Sequence, residues 1–290
     1  MYKGINNYIH TITTTMPYGS NIRLFRKAIL IFLLCNTLFL LSYSETLYGT
    51  NSYFLPFEKY NNIVLDFLNI LENPRLAAYW KYFVAGQIIS IVACLFLPYK
   101  RLFTFFVYFF TMNLYHKTIP IQNAGFNLLV MTLFLLIFMD ENANNNKFSF
   151  WKTLNITVTN FAVWASRFQV IILYVVATYF KLLGTTWLDG TAFYYILYND
   201  TYSHPWFKQL LISHGFLTHA ITWFALLFQL LFPILIWFKK TKLSMIILGV
   251  LFHLMIIIIM GITDFGIIML IMYLLFYTPE KLKEKFSFSK

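Results

Sequence analysis

Phe168-Gln-Val-Ile-Ile-Leu-Tyr-Val-Val-Ala-Thr-Tyr-Phe180 is apolar apart from Gln169 and Thr178, and it closes on Lys181. With its upstream flank the run can cross a bilayer, whose hydrocarbon core takes about 20 helical residues. The lysine then opens Lys181-Leu-Leu-Gly-Thr-Thr-Trp-Leu-Asp-Gly190. An ammonium group costs roughly 2.5–3.5 kcal/mol at mid-membrane and less near the rim. Turned inward, Lys181 loses water around its charged form and becomes a general base. Turned outward, it is a rim anchor that snorkels to the headgroups.

The rest of the chain has the same character. Of 290 residues, 59% are hydrophobic, 21% aromatic and only 11% charged, where a soluble domain carries about a quarter charged residues. Mean hydropathy is +0.66. This describes an all-α, polytopic integral membrane bundle formed as a single domain over 1–290. The net charge of +11 does not indicate a nucleic-acid partner, because the basic residues sit at the ends of apolar segments. That is the pattern of positive-inside anchoring. Cys35 and Cys94 both lie in apolar spans, so neither a disulfide framework nor a thiolate metal site is expected. The polar first 20 residues predict an uncleaved anchor rather than a removable signal peptide.

Eight apolar stretches predict eight spans: 24–44, 78–98, 102–119, 121–139, 160–181, 217–238, 243–260 and 262–278. With that count, fifteen of the 22 basic residues fall on the side of the termini. The positive-inside rule then places both termini in the cytoplasm of a multi-pass inner (plasma) membrane protein, with Lys181 at the outer end of the fifth span. Two long connections, 45–77 and 182–216, share that outer face. In the first, Ile63, Val64, Phe67, Leu68, Ile70 and Leu71 form one helical stripe, stopped by Asn73-Pro74. In the second, Ser203-His204-Pro205 starts a helix over Trp206 to Ile212. Both are expected as short extracytoplasmic interfacial helices. Asp140 to Lys147 reads as a simple loop.

The polar groups inside the spans are the functional candidates. His253, mid-way through the seventh span, is an interhelical hydrogen-bonding group or a proton relay; no second histidine one turn away supports a metal. Arg167 snorkels or pairs within the bundle. Gln229 is expected to bond a neighbouring helix. Asp264 follows the seventh span and can orient Lys181 or stand as a plain loop carboxylate. Asn123 and Asn127 open the fourth span toward the same outer cavity. Trp187 suits an interfacial belt, Asp189 follows it, and Gly190 suits a chain reversal. Phosphate loops, zinc-peptidase motifs and nucleophile elbows do not occur in the sequence, and paired glycine-interrupted half-helices of a transporter are missing.

Ala177-Thr-Tyr-Phe-Lys181, followed by Trp187-Leu-Asp-Gly-Thr-Ala-Phe-Tyr-Tyr195, resembles the membrane domain of vitamin K-dependent gamma-carboxylases, the horizontally transferred transmembrane (HTTM) family. Ser203-His-Pro-Trp-Phe-Lys-Gln-Leu-Leu211, Leu248-Gly-Val-Leu-Phe-His253 and Asp264-Phe-Gly-Ile-Ile-Met269 are similar to later parts of that family. The same features resemble bacterial HTTM proteins that help mature a sporulation-delaying peptide toxin. In the carboxylases a lysine at the matching position acts on vitamin K hydroquinone with oxygen, and the strong base formed deprotonates a glutamate. The resemblance implies Lys181 as general base, supported by His253. Trp187, Asp189, Asn123, Asn127, Gln229 and Asp264 would line the substrate site, with a quinone-like lipid as the cofactor class and no metal. Phe180 stands where the carboxylases have a second lysine. Two functions stay open on sequence: a carboxylase-like enzyme at the outer leaflet, or a non-catalytic accessory protein for a secreted peptide or toxin precursor.

Overall fold

The computed structural model describes residues 18–50, 69–73, 75–143 and 149–277, with Thr13, Thr15 and Ser52. Among them the secondary structure is entirely helical: α1 (Gly19–Phe39), α2 (Ser44–Tyr48), α3 (Trp80–Phe96), α4 (Lys100–Lys117), α5 (Ala124–Phe138), α6 (Ser149–Leu182), α7 (Thr185–Leu188), α8 (Ala192–Leu197), α9 (Pro205–Ile212), α10 (Gly215–Leu235), α11 (Lys242–Met260) and α12 (Thr263–Met272), with short 3-10 turns between. Each of the eight predicted spans contains a helix. Five helical segments are long and apolar enough to cross a membrane: Gly19–Tyr48, Ala77–Phe96, Phe150–Leu182, Gly215–Leu235 and Lys242–Met260. Ala124–Phe138 and Thr263–Leu275 are apolar but shorter. Large apolar side chains point outward along these helices, with Phe96 80% and Phe161 67% exposed. A water-soluble monomer rarely leaves so much apolar surface uncovered; a lipid-facing helix does so by construction.

Contacts divide the chain into two compact units, one reaching to Ala165 and including Tyr277, the other Ser166–Phe276. In the first, α3 packs on α4, α4 on α5, and α1 on α3. The buried face of α1 is Ile22, Phe25, Ile29 and Leu33, spaced at three and four residues as a helix stripe demands. Apolar burial gives little preference between helices in lipid, so interhelical hydrogen bonds contribute to register. Thr37 Oγ1 donates to Gln87 Oε1 at 3.1 Å, and Gln87 Nε2 donates to Thr111 Oγ1 at 3.0 Å, tying α1, α3 and α4 together. Asn113 Oδ1 accepts the Ile70 amide at 2.7 Å and anchors the 3-10 turn before α3.

The fifth span is longer than expected. Its helix has 34 residues, starting at Ser149 rather than near 160, which is about 51 Å at 1.5 Å per residue. Its first turns are held by polar contacts that hydropathy does not register. Asn155 Nδ2 donates to Asp140 Oδ2 at 2.6 Å, and the Asp140 amide donates to Thr159 Oγ1 at 3.1 Å. The stripe expected over 63–71 falls largely outside the described residues, which resume at 69 with the turn Ile70–Glu72. The helix after His204 is present as α9, with Pro205 in its first turn. Gly261 ends α11 in a left-handed conformation (φ 69°), but Gly266 lies within α12 rather than in the connection. A Cβ there would overlap the Ile257 side chain, so the glycine lets α12 approach α11.

Candidate functional site

In the second unit one face of α6 carries Arg167, Val170, Tyr174, Thr178 and Lys181, at successive spacings of three, four, four and three residues. All but Lys181 are buried. At the start of the stripe, Arg167 donates through Nε and Nη2 to the carbonyl of Leu275, at 2.8 and 2.6 Å. Its guanidinium also lies 5.9 Å from the Phe276 ring centre. The arginine is therefore paired inside the bundle rather than snorkelling.

Two turns on, Tyr174 Oη and His253 Nε2 share a hydrogen bond at 2.8 Å. The Tyr174 hydroxyl also bonds that of Tyr273. His253 is 0% exposed, and its Nδ1 has no hydrogen-bond partner among the described residues. Helices α6, α11 and the turn after α12 thus converge on a polar trio in an aromatic shell. Phe232 lies 4.7 Å and Phe228 5.6 Å from the Tyr174 ring, and Phe265 lies 5.4 Å from the imidazole, centre to centre. Gly249 makes room for the trio, since a Cβ at that position would overlap the Tyr273 phenol. Three further polar atoms in this unit, Thr178 Oγ1, Ser203 Oγ and Gln229 Oε1, are buried without a partner among the described residues. An unmade hydrogen bond in such surroundings costs about 1–3 kcal/mol, and the trio with its open imidazole nitrogen is the chemically distinctive part of this unit.

Lys181 stands at the other end of the stripe. It is seven residues beyond Tyr174, about 10 Å along the helix axis. Its Nζ lies 4.8 Å from the centre of the Trp187 ring, a cation–π arrangement. Among the described residues it forms no ion pair with Asp264, which sits half-buried in the first turn of α12. Asp189 is fully exposed and accepts hydrogen bonds from the Thr191 amide at 2.9 Å and the Thr191 hydroxyl at 2.5 Å. Those bonds, the hydroxyl's first, hold its carboxyl below the usual carboxylate range. They also close the turn in which Gly190 takes φ 83°, the reversal expected from sequence. A Cβ on Gly190 would collide with Trp223 and His219 of α10.

The expected site residues therefore separate. Lys181 and Trp187 are in contact, and Asp189 shapes the adjoining turn. His253 belongs to the tyrosine trio and shares none of the Lys181 contacts. Asn123 and Asn127 belong to the first unit. Asn123 Oδ1 caps α5 by accepting from the Gly125 and Phe126 amides at 2.8 and 3.3 Å. The exposed Asn127 accepts from the Tyr115 hydroxyl. Sequence reasoning missed Tyr174, Tyr273, His219 and Trp223. Tyr174 was discoverable as the residue seven before Lys181 on an apolar helix. Tyr273 was hidden among 20 tyrosines, most of which read as interfacial. No group of three His, Cys, Asp or Glu side chains suited to a metal occurs among the described residues.

Residues 20–280 match the HTTM domain. The chain belongs to the HTTM family. The match runs through both compact units, so the trio and the lysine lie within one family domain. The chain is also similar to the uncharacterized protein YitO of Bacillus subtilis (strain 168), 32% identical over 133 residues. That alignment covers 44% of this chain and 43% of YitO, so the chain spans less than half the length of this relative. No solved structure matches.

Proposed function

We propose that this HTTM protein is a membrane-embedded enzyme that takes a proton from a substrate at the outer leaflet. The substrate is a quinone-like lipid or a small secreted peptide. The observation that carries this reading is the buried His253–Tyr174–Tyr273 chain, centred on the α6 face that ends at Lys181, with one imidazole nitrogen unpartnered among the described residues. Hydroxyls and a neutral imidazole each donate and accept. Such a chain passes a proton by switching hydrogen bonds, without leaving a lone charge in hydrocarbon. Lys181 is the group that meets the substrate. Its unprotonated amine accepts the proton, and the Trp187 face stabilises the ammonium that results. Thr178, one turn below, offers a hydroxyl between the lysine and the trio that has no partner among the described residues. In the carboxylase-like form of this reading, Lys181 takes the proton of a reduced quinone-like lipid, molecular oxygen as co-reactant oxidises that lipid, and the strong base so formed removes a proton from a glutamate side chain.

The proposal includes eight crossings of the inner membrane, both termini in the cytoplasm, and a single domain. The 45–77 connection and α9 lie in the outer interface. Lys181, Trp187 and Asp189 then face the compartment of a secreted substrate, and Gln229 and Asp264 line its approach. The basic residues gathered at the opposite helix ends support this orientation.

A second reading, an accessory protein for maturation or export of a secreted peptide or toxin, is favoured by two observations. Lysine over tryptophan is also what a rim anchor looks like. A groove of about 620 Å³, lined by Asp200, Ser203, Pro205, Lys208, Gln209, Ile212 and Ser213, opens beside α9. Lipid and peptide mass spectrometry of membranes and medium separates the two readings, comparing wild type with Lys181→Ala at matched protein levels. The enzyme reading expects at least one product feature to vanish in the variant. Identical profiles would eliminate it and leave the accessory role, in which peptide secretion survives Lys181→Ala.

A further inference from the structure

The first unit contains a cationic pocket that the proposed chemistry does not use. It forms where the start of α1, the end of α3, the start of α4 and the chain after α5 meet, and it encloses about 190 Å³. Arg23, Arg26, Lys27 and Lys100 line it, against one carboxylate, Glu141. Basic residues at helix ends ordinarily need no more explanation than anchoring in the headgroups. Arg26 does not fit that explanation, because it is 2% exposed and turned into the protein.

Its partners are few for a buried guanidinium. Nη1 donates to Thr104 Oγ1 and Nη2 to the Met139 carbonyl, and Nε has no partner among the described residues. No carboxylate there ion-pairs with it. Glu141 lies 3.6 Å from Arg23 Nε, and Asp140 accepts from the Asn142 amide and Asn155 Nδ2. Lys100 reaches the carbonyls of Cys94 and Leu95 at 2.7 and 3.0 Å, which pins its charge at the wall of the pocket. A buried cation whose neighbouring carboxylates, Glu141 and Asp140, bond other groups is costly, and an anion seated in the pocket beside it offsets part of that cost. The volume equals about six waters at roughly 30 Å³ each, enough for a phosphate group and a few waters.

We infer that this pocket binds a phosphate group, that of an anionic phospholipid or of a soluble phosphate ester. Arg26 and Lys100 supply fixed positive charge at the wall, and Arg23 and Lys27 donate to the oxygens from the exposed side. Guanidinium suits phosphate oxygens because its donors form a planar fork.

The test uses the purified full-length protein in detergent, with native mass spectrometry and thermal unfolding as readouts. Its three arms are dioleoyl phosphatidic acid, dioleoyl phosphatidylcholine and inorganic phosphate. Arg23 is 57% exposed and Lys27 is also exposed, so the Arg23→Gln/Lys27→Gln variant keeps its fold; an unchanged ligand-free midpoint verifies this. Losing the charge-assisted bonds of these two residues is expected to weaken binding about tenfold, and Arg26→Gln, where it folds, by more. Binding in the phosphatidic acid arm alone identifies a headgroup site. Binding in the phosphate arm alone identifies a soluble ester, and binding in both identifies the phosphate itself. The inference is overturned if neither ligand binds wild type, if the double variant binds as well as wild type, or if phosphatidylcholine binds as tightly as phosphatidic acid.

Discussion

Replacing Tyr174 by phenylalanine isolates the hydrogen bonding of the buried trio from its packing. The ring stays, with its neighbours Phe228 and Phe232 at 5.6 and 4.7 Å. Only the hydroxyl goes, and with it the bonds to His253 Nε2 and the Tyr273 hydroxyl. Hydrogen bonds between helices in membranes average about 0.6 kcal/mol and reach about 1.7. Two of them therefore place the loss at about 1–3 kcal/mol, the upper part of that range applying because both abandoned partners are buried. Equilibrium unfolding in mixed micelles, titrated with a denaturing detergent, measures it. A double-mutant cycle with His253→Ala should give a coupling of at least about 0.5 kcal/mol, as residues in direct contact do. A Tyr174→Phe protein as stable as wild type, or one whose effect simply adds to that of His253→Ala, would refute the reasoning.

Other substitutions probe the surrounding geometry. Gly249→Ala drives a methyl into the Tyr273 phenol and should cost about 1–3 kcal/mol by overpacking, measured in the same unfolding assay. Asn123→Ala removes a helix cap and should cost about 1 kcal/mol while leaving any product profile unchanged, since Asn123 is then a structural residue. Asp189 is held below the usual carboxylate range by Thr191, so its ionised form favours the folded turn. That contribution is complete above the ordinary carboxylate range and disappears as pH falls through the lowered folded value. The Thr191 amide resonance should therefore stay constant on acidification until below that range, and Asp189→Asn should abolish the transition.

The all-helical architecture was legible because apolar runs of spanning length admit little else. The helix start announced by Pro205 and the chain reversal at Gly190 were equally readable, since their backbone chemistry is local. The early start of α6 was not. Asn155 and Thr159 lower hydropathy, yet they hold that helix through bonds to Asp140, a partner visible only after folding. The candidate site was legible in half. A lysine or histidine in an apolar span stands out by its cost, which is how Lys181 and His253 were found. The tyrosines bridging to His253 carry no charge and belong to an abundant residue type, so nothing in their composition marked them. Asn123 caps α5, a local role that its place just before an apolar run makes readable.

The central idea is that the deep trio and the rim lysine serve one reaction. Product profiles of membranes carrying Tyr174→Phe and Lys181→Ala, each at wild-type protein level, test it most directly. The account predicts that both variants lose the same lipid or peptide product. A folded Tyr174→Phe protein that still makes what Lys181→Ala cannot would contradict it.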